Sequence, residues 1–587
     1  MNAARSTDSP TGIRYQPGEN PPAALSFGLG LQLVILTVAV PILFPTVVMR
    51  SAGAPEASVT WAVFAAVAIS GAATALQSVR IGRIGGGHVL VTGSSAAFIG
   101  VCITAVAQGG PAMLATLVVI SALFQILLSA RLALFRRILT PTVSGTVIML
   151  IPVTVMQFVF GLLEDVPEGS PALAAPLSAL ATAIVICGIS LKAAGALRLW
   201  APVIGVVAGS VVGGVFGLYD LDRVAAAPWI GLPQAAWPGF DLDFGPTFWA
   251  LVPAFLLVAM IGTIRTISSS IAVQRVSWRR RRALDFRAVQ GAVNVEGIGN
   301  LMCGAAGTVP NTSYSVAASL TELTGIASRA MGVAAGVVFV ALAFLPKALA
   351  VVLAIPGPVV TAYLTVLIAM LFLIGVKIVI QDGLDYRKGL VVGFAFWVGV
   401  GFQFDLIFPE QVSEFAGGLF ANGMTSGGLV AILMTLFMEL AKPRRSRMET
   451  EFARAALPAI KEFTGAFVSR GGWGSPMADR LEAAAEEALL TMMREDEPAP
   501  ERAGRRLRLV AHREDDAAVL EFVVAPGEEN LEDRIALIGG EADEAPDERD
   551  VSLRLLRHMA SSVRHQQYHD IDIVTVRVKS PAPVRGG

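Results

Sequence analysis

The chain has 587 residues, of which 54% are apolar and only 16% charged, whereas soluble domains carry about a quarter charged residues; most of it therefore belongs in a bilayer. A formal net charge of -1 leaves no basic excess of the kind that nucleic-acid binding requires. The three cysteines, Cys102, Cys187 and Cys303, lie in apolar runs without metal-ligand spacing, which argues against a disulfide framework or a metal centre.

Residues 1–22 are polar and lack a signal-peptide pattern, so they read as a cytoplasmic tail and the first apolar run as a retained span. A spanning helix takes about 20 mostly apolar residues. Long runs begin near Ala24, Val59, Ala112, Val143, Pro171, Ala201, Phe248, Arg329, Val359, Gly389 and Gly417, and shorter ones near Val89, Val289 and Ser313. Together they predict fourteen segments over residues 23–441. The loops alternate in charge. One set carries Arg80 and Arg83, Arg131, Arg136 and Arg137, Lys192 and Arg198, Arg275 with Arg279 to Arg282 and Arg287, Arg329, and Arg387 with Lys388. The other carries Glu164, Asp165 and Glu168, Asp220 and Asp222, Asp241 and Asp243, and Glu410 and Glu414. The positive-inside rule then places both termini in the cytoplasm, as expected of a multi-pass protein of the plasma membrane, in bacteria the inner one.

Two of the shorter segments are interrupted by polar residues, "HVLVTGSSAAFIG" (88–100) and "TVPNTSYSVAAS" (308–319), at corresponding depths in the two halves of the membrane region. Irregular backbone at membrane depth is tolerated only inside protein or beside a cavity. Interrupted segments in matching positions of two halves point to a transporter's binding site. Between them, the run 248–276 contains Arg265, which helical spacing groups with Gly262, Thr266 and Ser269. An ionisable residue inside a membrane is a functional candidate. Three roles are open to Arg265: contact with substrate, a structural ion pair with Glu322, or snorkelling to the interface.

After "AKPRRSR" (441–447) the composition turns soluble, and residues 442–587 read as a cytoplasmic α/β domain. "ADRLEAAAEEALLTMM" and "DVSLRLLRHMASSV" have helical patterns, "RRLRLVAHRE" and "AVLEFVVA" read as a strand pair, and "DIVTVRV" as a closing strand. The histidines, His88, His512, His558, His565 and His569, show no ligand spacing, and no nucleophile–base constellation emerges, so neither an enzyme nor a cofactor is expected.

Several stretches in order resemble the nucleobase–ascorbate transporter family, which includes uracil, xanthine and uric acid permeases: "YQPGENPPAALSFGLGLQLV", "ALQSVRIGRIGGGHVLVTGSSAAF", "NVEGIGNLMCGAAGTVPNTSYS", "LTGIASR" and "IPGPVV". The resemblance covers roughly residues 15–440. It implies an α-helical polytopic fold of fourteen segments in two inverted repeats of seven, divided into core and gate domains, with substrate held between the third and tenth segments. On that basis Ser94, Ser95 and Ala96 border the substrate from one side and Tyr314, Ser315 and Val316 from the other. The resemblance also implies a homodimer. The soluble tail resembles a degenerate histidine-kinase-type ATPase, close to small anti-sigma-factor kinases. Thr491 stands where that family has a magnesium-holding Asn, "APGEENLED" (525–533) replaces its Asp-x-Gly-x-Gly turn, and "DVSL" (550–553) replaces its lid. A regulatory module that engages a protein or nucleotide is expected, with ATP disfavoured.

The sequence also departs from the permease pattern. Val316, Ala317 and Ser319 stand where the tenth-segment signature has polar, Asn and Gly residues; Leu33 replaces a frequent His; and residues 248–276 lack the usual Glu. Arg265 without that carboxylate predicts a site that favours an acidic substrate, xanthine or urate before uracil. Glu322 is the remaining candidate for ion coupling. Two alternatives stand beside the permease reading: a carrier of another small organic or inorganic anion, and a membrane sensor that signals through the tail.

Overall fold

The computed structural model describes residues 12–130, 140–233, 236–280, 282–381, 383, 385–409, 423–440, 445–493, 506–514, 517–525, 531 and 548–580. The loop charges Arg131, Arg136, Arg137, Glu410 and Glu414, most of 525–533 and the side chains of 550–553 lie outside the described residues. The chain divides into two compact units, Met1–Arg279 with Ala288–Phe437, and Arg280–Arg287 with Met438–Gly587.

The first unit is helical. Its elements are α1 (Ala23–Thr37), α2 (Ala39–Ser51), α3 (Glu56–Ser78), β1 (Val91–Ser94), α4 (Ile99–Ala130), α5 (Pro141–Gly161), α6 (Ala174–Lys192), α7 (Gly195–Val215) and α8 (Leu221–Ala226). There follow α9 (Pro246–Val276), α10 (Phe286–Ala306), β2 (Asn311–Tyr314), α11 (Val316–Thr324), α12 (Arg329–Ala343), α13 (Pro346–Leu353), α14 (Gly357–Gln381), α15 (Tyr386–Gln403) and α16 (Gly423–Leu440). Among the described residues, eight helices are long and apolar enough to cross a membrane, or nine if the α12–α13 pair, bent by 87°, is one span. Length and composition thus establish a multi-pass membrane protein. The expected total of fourteen depends on how the broken and short elements are assigned. α4 is broken at Gly110, whose φ of 72° and ψ of -179° leave the helical region just before Pro111; the apolar run expected to begin near Ala112 starts at that break.

The helices form two packing groups. In one, α3 packs on α12 and α2, α1 on α12, and α4 on α9 and α2, with the strands against α3 and α9. In the other, α14 packs on α5, α6 and α7, and α15 on α5. Glycine permits the tightest crossings. A Cβ on Gly71 of α3 would meet the carbonyl oxygen of Gly336 of α12 at 2.7 Å, and Gly145 of α5 stands in the same relation to Gly375 of α14. Small residues let backbones approach where lipid offers no hydrophobic drive for association. Hydroxyls within the spans mostly bond their own helix: Thr37 donates to Leu33 O at 2.7 Å, Ser70 to Ala66 O at 2.6 Å and Thr182 to Ser178 O at 2.8 Å, so they cost little in hydrocarbon.

The second unit carries an antiparallel five-stranded sheet in the order β3–β4–β5–β7–β6, with β3 Ser446–Glu451, β4 Arg506–Glu514, β5 Ala517–Val524, β6 Ser562–Gln567 and β7 Asp572–Lys579. Its helices are α17 (Leu457–Arg470), α18 (Ser475–Met492) and α19 (Glu548–Met559). Leu481, Ala484, Ala485, Ala488 and Leu489 of α18 share a core with Leu509, Leu520, Phe522, Val574 and Val576, a period-3.6 stripe packed on period-2 strand faces. Two differences from the sequence reading stand out. β3 comes from "SRMETE", where the sequence suggests no strand, and the helix expected to run to Val563 ends at Met559, with Ser562 and Val563 opening β6.

Candidate functional site

β1 and β2 pair antiparallel, with Val91 opposite Tyr314 and Ser94 opposite Asn311, and both are wholly buried. The local sequence explains the interruption. Gly307, at a φ of 70°, closes α10 in the left-handed conformation that glycine adopts without penalty. Pro310 has no N–H to continue a helix, and its carbonyl accepts from Ser95 N–H at 2.8 Å. Two strands too short to cross a bilayer thereby satisfy each other's backbone. β1 leads through the tight turn Ala96–Phe98 into α4, and β2 leads through Ser315 into α11. Each helix begins at the strand pair, where Phe98 N–H donates to Ser95 O at 3.2 Å and Ala318 N–H to Ser315 O at 3.0 Å, and presents the positive end of its dipole there.

Side chains of α3, α4, α9 and α10 hold this crossing. Asn300 Oδ1 accepts from Asn311 N–H at 2.7 Å, and Asn300 donates to Gln125 Oε1 at 2.8 Å. Gln125 in turn donates to Thr263 Oγ1 at 3.1 Å. Thr266 Oγ1 accepts from Ser313 N–H at 3.3 Å, Ser269 donates to Ser313 O at 3.3 Å, and Gln77 donates to Ser313 Oγ at 3.3 Å and to Ala292 O at 2.9 Å. Tyr314 ties the two halves together, its hydroxyl donating to Ser94 O at 2.5 Å.

Among the expected site residues, Ser94, Tyr314 and Arg265 come together. The Arg265 guanidinium lies 5.7 Å from the centroid of the Tyr314 ring, within cation–π range. Arg265 is half-buried near the middle of the 31-residue α9. Ser95 is buried, Ala96 and Val316 are half-buried, and Ser315 is exposed. Glu322 is exposed toward the far end of α11.

The carboxyl near Arg265 is instead Glu296 of α10, a residue that reading the span 248–276 alone misses. Glu296 is fully buried. Gln125, Thr266, Thr312 and Arg265 surround it, and a Cβ on Gly262 would stand 3.1 Å from its Oε1. The expectation of a site holding a guanidinium without a carboxylate is thereby corrected: the acid comes from the next helix, α10. The available signal is "NVEGIGN", a single acid between valine and glycine, which the two asparagines make less conspicuous than Arg265. Tyr363 of α14, also buried, lies near Tyr314 from the other packing group.

The hydroxyls of Ser94 and Ser95 are buried without a hydrogen-bond partner, and the buried Glu296 oxygens face Thr266, Thr312 and Gln125 without closing a hydrogen bond of good geometry. Most span hydroxyls elsewhere bond their own helix, so this cluster is a concentration of unspent polar capacity. Buried groups of this kind are costly and mark functional positions. The arrangement offers an aromatic face, a cation, a carboxyl and short hydroxyl side chains, a set suited to a flat polar heterocycle. The described residues contain no group of His, Cys, Asp and Glu arranged to hold a metal ion.

Residues 25–407 match a family described as the "Permease family". The chain is 27% identical to a putative purine permease of Clostridium perfringens over 70% of this chain and 89% of that one. It is 25% identical to the xanthine permease XanP of Escherichia coli, over 72% and 94%, and to the uric acid permease PucK of Bacillus subtilis, over 72% and 97%. Among solved structures, the transmembrane domain of a cyanobacterial bicarbonate transporter, BicA, aligns with a TM-score of 0.43 at 19% identity, over 72% of this chain and 100% of that one.

Proposed function

The chain belongs to this permease family, and from that premise we propose that it is a secondary transporter of a purine-like or pyrimidine-like base, xanthine or urate before uracil. The substrate passes between the β1–α4 and β2–α11 segments, bordered by Ser94, Ser95, Ala96, Tyr314, Ser315 and Val316, with Arg265 and Glu296 beside it. The observation that carries this reading is the buried β1–β2 crossing, with Arg265 over the Tyr314 ring and unbonded hydroxyls alongside. The names of the relatives support the substrate class.

Arg265 and Glu296 together change the electrostatic expectation. With Glu296 ionised the pair is neutral, and with Glu296 protonated the site is cationic. An acidic heterocycle is then bound together with a proton, which gives Glu296, rather than the exposed Glu322, the place of a coupling group. The tail is proposed as a regulatory module, and both termini as cytoplasmic.

Ligand-induced thermal stabilisation of the purified protein tests the reading. Xanthine or urate at about 100 times its dissociation constant should stabilise by about 2.7 kcal/mol, and Arg265→Ala should abolish the shift. Stabilisation by bicarbonate or sulfate and by no base would instead establish the alternative, a carrier of another small anion.

A further inference from the structure

The motif "YQPGEN" (15–20) does nothing in the site just described, yet the structure gives it a specific place. Gln16–Pro17–Gly18–Glu19 forms a β-turn, with Glu19 N–H donating to Gln16 O at 3.0 Å and proline at its second position, where φ is preset. The residues on either side of this turn lie along the joint between α11 and α12. Tyr15 pairs with Ile326 as a parallel bridge. Arg14 and Tyr15 N–H donate to Gly325 O at 2.6 and 3.1 Å, Ala327 N–H donates to Tyr15 O at 2.8 Å, and Arg329 N–H donates to Pro17 O at 3.3 Å. Ser328 Oγ donates to Glu19 O at 2.7 Å. Gly325, at a φ of 72°, is the left-handed cap of α11, and a Cβ there would collide with Gly12 O, so no other residue fits beneath the segment.

Arg279, just beyond the end of α9, closes this arrangement. Its guanidinium donates to both Glu19 oxygens at 2.7 Å, to Arg14 O at 2.6 Å and to Ile13 O at 3.2 Å. A single planar fork thus holds the carboxylate and two backbone carbonyls, which a lysine ammonium cannot reproduce. On its other side, Arg329, the first residue of α12, donates through Nε to Gly87 O at 2.8 Å, in the loop that leads into β1.

We propose that residues 12–19, closed by Arg279, form a strap that positions the half-helix α11 against α9. α11 has nine residues, about 13 Å of helix, too short to be stable alone. Its N-terminal end borders the candidate site, and its C-terminal end is where the strap attaches. A rigid rod of that length transmits displacement from one end to the other, so Arg279 is a positioning residue for Tyr314, Ser315 and Val316. The proposal rests on the reading of α11 as part of the substrate site.

Hydrogen exchange of the full-length protein without ligand tests the strap directly. Arg279→Ala and Gly325→Ala should each raise amide exchange across residues 316–329 by about tenfold or more, with Glu19→Gln milder because the two carbonyl acceptors remain. Arg279→Lys should resemble Arg279→Ala. Unchanged exchange in both Arg279→Ala and Gly325→Ala would overturn the strap. In proteoliposomes, Arg279→Ala should raise the KM for xanthine about tenfold while the maximal rate per folded transporter stays within about twofold. A fall in folded protein and maximal rate with KM unmoved would reduce the segment to a structural tie and overturn the positioning role. If the wild type takes up no base at all, the proposed function fails, and the exchange measurement still decides the strap.

Discussion

Glu296 and Arg265 share one environment, but they are not equally legible in the sequence. Arg265 stands out because an arginine interrupts an apolar run. Glu296 lies in a run rich in glycine and asparagine, where a carboxylate looks less isolated, and only the crossing of α9 and α10 brings it to Gly262. If it is the coupling group, Glu296→Gln should keep the side-chain volume and remove the proton exchange. Accumulation of xanthine driven by a pH gradient into proteoliposomes should then fall by at least about tenfold, while counterflow exchange without a gradient persists. Loss of both would make Glu296 a binding group instead.

Glu19 gives a second prediction at the same scale. Hydrogen bonding from the Arg279 guanidinium, and then from Gln16 N–H, holds its carboxyl below the ordinary value of 4.5. A carboxyl whose folded value is depressed contributes stability that is present above its unfolded value and is lost as pH falls through the folded one. The difference in melting temperature between wild type and Glu19→Gln should therefore be present at pH 7 and vanish as pH drops well below 4.5. A difference that stays constant through that range would mean that the fork is not closed in solution.

At the scale of elements, the two broken segments are the most legible feature of the chain. Pro310, Gly307 and the hydroxyl-rich "NTSYS" cannot form a lipid-facing helix, and the structure pairs the latter antiparallel with "TGS" of β1. The partner of each strand is not readable, because register between distant segments is set by packing rather than by local pattern. The same holds for β3 in the tail, whose alternating charges look like a linker until β4 supplies its ladder. Helix crossings are also hidden, since glycines in spans look alike whether they face lipid or another backbone. Gly71 differs from Gly188, where an added Cβ would meet no atom of another element within 4 Å. Gly71→Leu should therefore destabilise the membrane unit by about 1–3 kcal/mol through overpacking against α12, while Gly188→Leu should leave the melting temperature nearly unchanged.

At the scale of the whole molecule, the sharp change of composition near residue 441 makes two modules visible from residue types alone. The membrane unit begins its last helix at Gly423, and the second unit takes the chain from Met438. Composition cannot say whether the tail acts on transport or receives a signal from it. The tail's resemblance to an ATPase does not decide this either. Thr491, in the position of the magnesium-holding Asn, donates to Glu487 O at 2.5 Å within its own helix, as an ordinary helical hydroxyl does. Each unit has its own buried core, so removing residues 449–587 should leave the membrane unit folded. A transporter with a regulatory tail then predicts that the truncated protein still takes up xanthine, with its rate altered by no more than about tenfold and its KM preserved. A sensor predicts ligand-induced stabilisation without uptake in either form. Uptake that disappears on truncation while stabilisation persists would instead show that the tail is required for the transport cycle, and the regulatory assignment would give way to an obligate one.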